Sequence, residues 1–200
     1  MKKESDKISE TMTWVLRAPR ENEPWQQFSA EIGAEFIRGS VVQNLRSDRV
    51  VAKQDGGIIT LDTYEVAGEP MSTTYTRIRA PCTTRDGFQF KIYRTGALSK
   101  FRRLLGHKPI TTGDPTFDRE FVVTSNDEFK ARILFANPRI RALIEAQPEI
   151  YFTLTRSELH CRCEGRIEDV TRLKALFLLC SETLTHLSDT GSTLSYRRLR

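Results

Sequence analysis

Four short strand-like segments joined by tight turns constrain the fold of this chain more than any other feature of its sequence. Each segment alternates or clusters aromatic and β-branched residues, and turn signals such as Arg85-Asp86-Gly87 separate them. The segments cover residues 49–53, 57–66, 73–80 and 88–94. Because connections this short join antiparallel neighbours, the sequence predicts an antiparallel β-meander.

Helical patterns flank these strands. Residues 24–38 place Trp25, Phe28, Ile32 and Phe36 on one face, and a longer helix is predicted over residues 168–187. The apolar stripe of this long helix comprises Val170, Leu173, Phe177, Cys180, Leu184 and Leu187. We expect the stripe to face the core, with Phe177 flanked by Leu173 and Leu184. The predicted fold class is α+β, with the meander sheet covered by helices that include the long C-terminal helix.

The stretch from Phe117 to Ile144 reads as a strand, a capped helix, a break and a second helix. Apolar residues alternate along 117–123, and Ser125 with Glu128 has the spacing of a capping box. Asn137-Pro138 divides the helical region 126–147. Two further strands are predicted at 150–155 and 158–164.

This stretch also carries a family resemblance. The pattern FDREFVV, an acidic cap, a helix reaching Asn-Pro and then IRALI is similar to a bacterial domain family of unknown function, whose members often carry membrane spans before the domain. The resemblance covers about residues 113–187. WQQFSAEIGAEF and TYTRIRAP resemble the companion region of soluble bacterial relatives. The resemblance implies a bacterial source and brings neither an activity nor functional residues.

The domain organisation follows from the same patterns. We expect a flexible lead-in at 1–21, one α+β domain at 22–188 with possible halves at 22–110 and 113–188, and a basic tail at 189–200. The N-terminus has no apolar signal-peptide core, and no run approaches the roughly 18 apolar residues of a membrane span. The sequence therefore predicts a cytoplasmic protein without a transmembrane segment.

Positive charge is concentrated in one part of the chain. Residues 73–108 contain nine basic residues and one acid, a net charge of +8 in a chain whose total is +5. If strands 73–80 and 88–94 paired as a hairpin, Arg77, Arg79 and Lys91 would share a face between Tyr75 and Tyr93. The candidate residues for an anionic partner are Tyr75, Arg77, Arg79, Lys91, Tyr93, Arg94, Lys100, Arg102 and Arg103.

Several partners suit such a surface. A membrane surface, a nucleic acid and an acidic protein all offer anionic groups, and the short basic segment 97–106 has an amphipathic pattern. The alternative is that these residues form the solvated face of an antiparallel sheet. The leading functional hypothesis is a non-enzymatic binding module that uses residues 73–108.

Catalytic patterns are nearly absent from the sequence. Its three histidines and four cysteines lack metal-ligand spacing, and we expect no cofactor and no bound metal. A second hypothesis is a metal-assisted hydrolase or nuclease at Asp114, Asp118 and Glu120, aided by Asp62. A third is a carrier that holds a small apolar ligand under the C-terminal helix.

Overall fold

A single antiparallel sheet dominates the computed structural model, which describes residues 23–39, 47–54, 57–68, 72–95 and 109–193. Within these residues, nine strands pair antiparallel and five helices accompany them. The strands are β1 (Glu35–Ile37), β2 (Arg49–Gln54), β3 (Gly57–Val66), β4 (Thr73–Pro81), β5 (Phe90–Arg94), β6 (Pro109–Ile110), β7 (Phe121–Ser125), β8 (Tyr151–Leu154) and β9 (Glu158–Glu164). The helices are α1 (Glu23–Glu31), α2 (Pro115–Glu120), α3 (Glu128–Ala136), α4 (Pro138–Glu145) and α5 (Val170–Asp189). The predicted α+β class with its C-terminal helix is confirmed.

The order of the strands differs from a simple meander. The sheet runs β1-β2-β3-β4-β9-β8-β5-β7-β6, so the hairpin β8–β9 lies between β4 and β5. The predicted pairing of strands 73–80 and 88–94 is therefore wrong. The chain leaving β4 instead follows the turn of the β8–β9 hairpin, where Cys82 N–H donates to Ser157 O and Thr84 N–H donates to Arg156 O.

The two faces of the sheet differ in composition because successive side chains on a strand point to opposite sides. One row of directly paired residues crosses β4, β9, β8, β5 and β7, and all its members are buried. This row consists of Ile78, Cys161, Phe152, Ile92 and Val123. Helices pack on the same face, since Phe90 contacts Phe135 of α3 with ring centroids 5.2 Å apart and the Cys161 Sγ lies 3.8 Å from the Cys180 Sγ of α5.

Helix α1 is shorter than the sequence predicts. It ends at Glu31, and Gly33 adopts a left-handed φ of 65° that a residue with a Cβ adopts only with strain. Phe36 belongs instead to β1, where it pairs with Val50. The helical spacing of the apolar residues therefore extended beyond the true end of the helix.

Only the second part of the predicted strand at 117–123 is a strand in the structure, and the first part is helical. Asp114 caps α2 by accepting hydrogen bonds from the N–H groups of Thr116 and Phe117, and Pro115 occupies the first turn. The strand β7 begins only at Phe121. A short pattern of alternating residues cannot by itself separate one helical turn from a strand, and the local cap decided for the helix.

The capping box at Ser125 is also wrong. Asp127, not Ser125, is the N-cap of α3, and its carboxylate accepts a hydrogen bond from Lys130 N–H. The Ser125 hydroxyl donates to the carbonyl oxygen of Gln89 and accepts from Asp127 N–H. Asn137 ends α3 and caps α4, as the Asn-Pro signal predicts.

The C-terminal helix agrees closely with its prediction. Asp169 caps α5 by accepting from Thr171 N–H and Arg172 N–H. Leu173, Phe177 and Leu184 are all buried, so the predicted core position of Phe177 is confirmed. Its ring meets that of Phe28 edge to face, with centroids 6.0 Å apart. Over the described parts of the chain, none of the helices combines the length and apolar character that crossing a bilayer requires.

Candidate functional site

The face of the sheet opposite the helices carries most of the predicted site residues that the structure describes. Tyr75, Arg77 and Arg79 alternate on β4 with buried residues, and Lys91 and Tyr93 do the same on β5. Although β4 and β5 do not pair, β9 and β8 bridge them in register, so all five side chains point to the same side. Their grouping on one face is thus as predicted, through a different pairing.

The strands between and beside them add residues that the sequence reasoning did not select. Arg162 pairs with Arg77, Tyr151 pairs with Arg162, and Asp62 pairs with Arg77 from the other side. Arg162 could have been placed on this face from its position between two cysteines that read as buried. We define the arginine–tyrosine face by Asp62, Tyr64, Tyr75, Arg77, Arg79, Lys91, Tyr93, Tyr151, Thr153, His160 and Arg162.

A buried carboxylate anchors two arginines at one side of this face. Asp62 is 3% exposed. Arg77 Nε and Nη2 donate to its two oxygens at 2.9 Å each, and Arg79 Nη2 lies 3.3 Å from Oδ2. The hydrogen bonds to Asp62 raise the pKa of Arg77 above its usual range, against the effect of burial. One carboxylate therefore contacts two guanidinium groups, and Glu158 Oε2 lies 4.0 Å from Arg79 Nη1.

Aromatic rings separate and orient the guanidinium groups. Tyr64 and Tyr75 stack with centroids 5.6 Å apart, and the Arg77 guanidinium lies 4.8 Å from the centre of the Tyr64 ring. The Arg162 guanidinium lies 4.3 Å from the Tyr151 ring centre and 5.6 Å from that of Tyr75. Arg162 Nη1 also donates to the Tyr64 hydroxyl at 3.3 Å. Cation–π contacts and this hydrogen bond fix the planes of the two guanidinium groups.

His160 occupies the centre of the face. Its Nδ1 lies 3.2 Å from the Glu158 carboxylate, and its side chain is 20% exposed. Burial lowers the pKa of His160, the Glu158 charge raises it, and the charges of Arg162 and Arg77 lower it again, with a net decrease. The imidazole is therefore neutral at pH 7 in the free protein.

The whole face carries more cations than acids. Of the nine strands described, alternate positions on this side supply six cations and four acids. The cations are Arg49, Lys53, Arg77, Arg79, Lys91 and Arg162, and the acids are Glu35, Asp62, Glu158 and Glu164. The excess is modest, because Asp62 and Glu158 offset part of the charge that the segment 73–108 contributes.

Arg94, another of the predicted site residues, does not lie on this face. It follows Phe90 and Ile92 in alternation and points to the helix side. Its Nη1 donates to Glu120 at 2.8 Å, its Nη2 donates to the carbonyl oxygen of Gln147 at 3.0 Å, and its guanidinium lies over Phe121. Arg94 thus joins β5 to α2 and to the end of α4. Lys100, Arg102 and Arg103, which were also predicted, lie outside the described residues.

The three carboxylates of the hydrolase hypothesis have structural roles. Asp114 caps α2 and forms an ion pair with Arg141 at 2.7 Å. Asp118 accepts hydrogen bonds from the N–H and the hydroxyl of Thr112 at 2.9 and 2.8 Å. Glu120 forms an ion pair with Arg94. Asp62, the fourth acid of that hypothesis, belongs to the arginine–tyrosine face. The described residues contain no group of three His, Cys, Asp or Glu side chains that could hold a metal ion.

The cysteines lie away from the arginine–tyrosine face. All four are free and buried. Burial raises the pKa of Cys82 to about 11 and that of Cys163 to about 12. Thiols with such pKa values are protonated at neutral pH, and protonated thiols are poor nucleophiles.

The side chains of α5 that face the sheet pack directly against it. The residues of α5 that face the sheet join one continuous cluster of buried hydrophobic residues with those of the strands. An apolar cleft of about 210 Å³ lies elsewhere, where Phe129 and Ile133 of α3 face His186 and Leu187 near the end of α5. Ligand pockets usually measure about 300–1,000 Å³, so this cleft lends no support to the carrier hypothesis.

Comparison of the chain with models of protein families, with curated proteins and with solved structures finds no match. The arguments about function therefore rest on the geometry of the arginine–tyrosine face.

Proposed function

We propose that this chain is a non-enzymatic binding module whose arginine–tyrosine face holds an anionic partner. The observation that carries this proposal is the meeting of three arginines from β4 and β9 on one face. Arg77 and Arg79 contact the buried carboxylate of Asp62, and Arg162 is paired with Arg77 on the neighbouring strand. Asp62 and Glu158, whose Oε2 lies 4.0 Å from Arg79 Nη1, are the two carboxylates among these three guanidinium groups. An anionic partner would complete the compensation of charge on this face.

The exposure of these groups supports the same conclusion. The Arg77 and Arg79 side chains are 27% and 32% exposed, so their charged ends reach solvent while their stems lie on the sheet. Asp62 and the tyrosine rings hold the guanidinium groups in place before any partner arrives. Binding would then require little ordering of these long side chains, which is a cost that weakens many surface contacts.

Binding to two polyanions across a salt series tests the proposal. The probes are a fluorescent single-stranded oligonucleotide and, separately, vesicles that contain anionic lipid. We expect at least one to bind at about 20 mM salt and to weaken steadily towards about 300 mM, because salt screens exposed charges. Replacing Arg79→Gln and Lys91→Gln together should remove about 2 kcal/mol of binding free energy, about 30-fold in affinity, at on the order of 1 kcal/mol per cation.

A charge-matched control lies on the helices. Arg132 of α3 and Arg139 of α4 are 50% and 63% exposed, and their double replacement by Gln changes the net charge of the protein by the same amount. We expect this control to bind within about twofold of the parent protein, because surface charges away from the interface act weakly. No binding to either probe at low salt, or an equal loss in both double variants, would contradict the proposal.

A further inference from the structure

Two exposed apolar side chains stand one turn apart on α3. Phe129 is 73% exposed and Ile133 is 43% exposed. Residues four positions apart are neighbours on a helix surface, so the two side chains form one patch. The other exposed large hydrophobic residues that the structure describes lie on β3 and α5, and they are Ile58, Val66 and Leu178. A single exposed apolar side chain is ordinary, whereas an adjacent pair with a largely exposed phenylalanine indicates a contact surface.

This patch borders the α3–α5 cleft, which is the apolar cleft of about 210 Å³ described above. The buried side chains of Phe88 and Leu134 line the cleft together with Phe129 and Ile133. An apolar cavity of about 150 Å³ can hold a benzene molecule, so the α3–α5 cleft has room for one phenylalanine ring. A protruding ring therefore lies beside a cleft of the size that such a ring would fill.

Two polar groups at the edge of the α3–α5 cleft have partners within the chain. Lys130 Nζ lies 2.6 Å from Asp86 Oδ2 and 3.7 Å from Asp127 Oδ2. The Thr190 hydroxyl donates to the carbonyl oxygen of His186 at 2.8 Å. An apolar occupant leaves these interactions in place, so it does not strand a buried polar group. The cleft therefore suits a hydrocarbon side chain.

The charged residues next to the patch have opposite signs and are also one turn apart. Arg132 Nη2 lies 2.7 Å from Glu128 Oε1, and the two side chains are 50% and 55% exposed. Arg132 also donates to the carbonyl oxygen and the hydroxyl of Thr111. Because about half of each charged side chain remains exposed, each can meet a further charge from outside. The outer side of α3 thus carries an apolar pair and a charged pair with the same spacing.

From this arrangement we infer that the patch and the α3–α5 cleft bind a second copy of this chain about a twofold axis near residues 130 and 131. The two α3 helices then run antiparallel. Phe129 meets the partner's Ile133 and enters the partner's cleft, and Glu128 faces the partner's Arg132. Each contact occurs twice, as in any isologous interface. A parallel approach would instead bring like charges together, which is unfavourable.

This inference goes beyond the proposed function and does not depend on it. Helix α3 packs on the side of the sheet opposite the arginine–tyrosine face, since Phe135 of α3 contacts Phe90 on the helix side. A dimer formed through α3 therefore leaves the sheet surface of that face uncovered by the α3 contact. Dimerisation and polyanion binding can be tested separately.

Sedimentation equilibrium of the complete chain in reducing buffer measures the association. Two helices and two inserted rings make a small interface, and small interfaces are weak, so we expect monomers at about 5 µM and mostly dimers at about 500 µM. A mass of one chain at every concentration would overturn the inference and leave the patch to a different protein. Masses that rise beyond two chains would also overturn it, because a twofold interface closes at the dimer.

Replacing Phe129→Ser removes the inserted ring and spares the core, because this side chain is largely exposed. The variant should dimerise at least about tenfold more weakly, since buried aromatic anchors dominate interfaces. Ile58→Ser is the control, because Ile58 is 47% exposed on the opposite side of the sheet. The control should dimerise within about twofold of the parent protein. An equal loss in both folded variants would show general apolar attraction and overturn the inference.

Charge reversal tests the antiparallel arrangement. Glu128→Arg alone places like charges opposite each other across the axis and should weaken dimerisation by at least about fivefold at low salt. Glu128→Arg combined with Arg132→Glu restores opposite charges there, and this double variant should dimerise within about twofold of the parent protein. Thermal unfolding of each variant verifies that it is folded. A folded double variant that associates no more tightly than Glu128→Arg alone would refute the twofold arrangement.

Discussion

Phe177 offers the sharpest test of how the helices are held on the sheet. Its side chain is 7% exposed within the α5 stripe, and its ring meets Phe28 of α1 edge to face at 6.0 Å. Transferring a buried phenylalanine to water costs about 1.5–3 kcal/mol, and the cavity left by Phe177→Ala should raise the total loss of unfolding free energy to about 3–5 kcal/mol. For a chain of this size, each kcal/mol corresponds to about 2–4 °C in Tm. The expected decrease is therefore about 6–20 °C.

Thermal and urea unfolding, followed by far-ultraviolet circular dichroism, measure this loss. Leu178→Ala is the matched control, because Leu178 is the next residue of the same helix and is 40% exposed. We expect it to change the unfolding free energy by less than about 1 kcal/mol. A double-mutant cycle with Phe28→Ala should give a coupling of about 0.5–1.5 kcal/mol from the ring contact.

Two results would refute this reasoning. If Phe177→Ala is no more destabilising than Leu178→Ala, the stripe of α5 contributes little to the core. If melting is unchanged and self-association is lost instead, the stripe is an interface between copies of the chain.

Three further predictions follow from the contacts of single side chains. Asp62→Asn should lower the unfolding free energy by about 1–3 kcal/mol, since it removes a buried charge that pairs with partly exposed Arg77. It should tighten polyanion binding, because the added net positive charge of the face outweighs the looser positioning of Arg77; weaker polyanion binding would contradict this. Because His160 has a pKa lowered below the usual 6.5, the unfolded chain binds more protons between the two values. The unfolding free energy should therefore fall as the pH drops through that window, and should fall less in His160→Gln. Urea unfolding at about pH 7.5 and about pH 5 measures both changes. An equal loss of unfolding free energy in the parent protein and the variant would contradict the prediction. Asp127→Ala should cost about 1 kcal/mol in chemical unfolding through loss of the α3 cap, whereas Asp127→Asn should be nearly neutral; an equal loss in both would point away from capping.

Local patterns predicted the elements whose identity depends on local chemistry. The boundaries of β2, β3 and β4 agree with the predicted strands within about a residue, because alternation and turn signals are both short-range properties. The apolar stripe of α5 likewise depends only on the spacing of residues along one helix. Where two local signals competed, as at 117–120, the helix cap at Asp114 prevailed over the alternation that indicated a strand.

The partners of the strands depend on the whole chain and could not be predicted in the same way. Nothing near β4 or β5 indicates that residues 151–164 separate them. For the same reason, the sequence placed Tyr75, Arg77 and Lys91 on one face but missed Arg162, which reaches them from a distant strand. Alternate residues of a strand lie on the same face of the sheet, whichever antiparallel strand is its neighbour in register. A wrong choice of neighbouring strand therefore left the predicted face unchanged.

The position of the β8–β9 hairpin also determines when the sheet can be completed. β4 and β5 are adjacent in the chain, yet each obtains one of its two neighbours only from residues 151–164. Pairings between distant parts of a chain form slowly, because a long loop must close before any contact is gained. As the chain leaves the ribosome, β4 and β5 therefore each expose an unpaired edge until residues 151–164 have been synthesised.

Exposed edges with free N–H and C=O groups pair readily with other chains. A chain that stops before Tyr151 would present two such edges, and their apolar faces would lack both the hairpin and the cover of α5. The β8–β9 hairpin thus joins two partial sheets into one. Termination between Ser125 and Tyr151, after both partial sheets have been made, should therefore leave chains that are prone to aggregate.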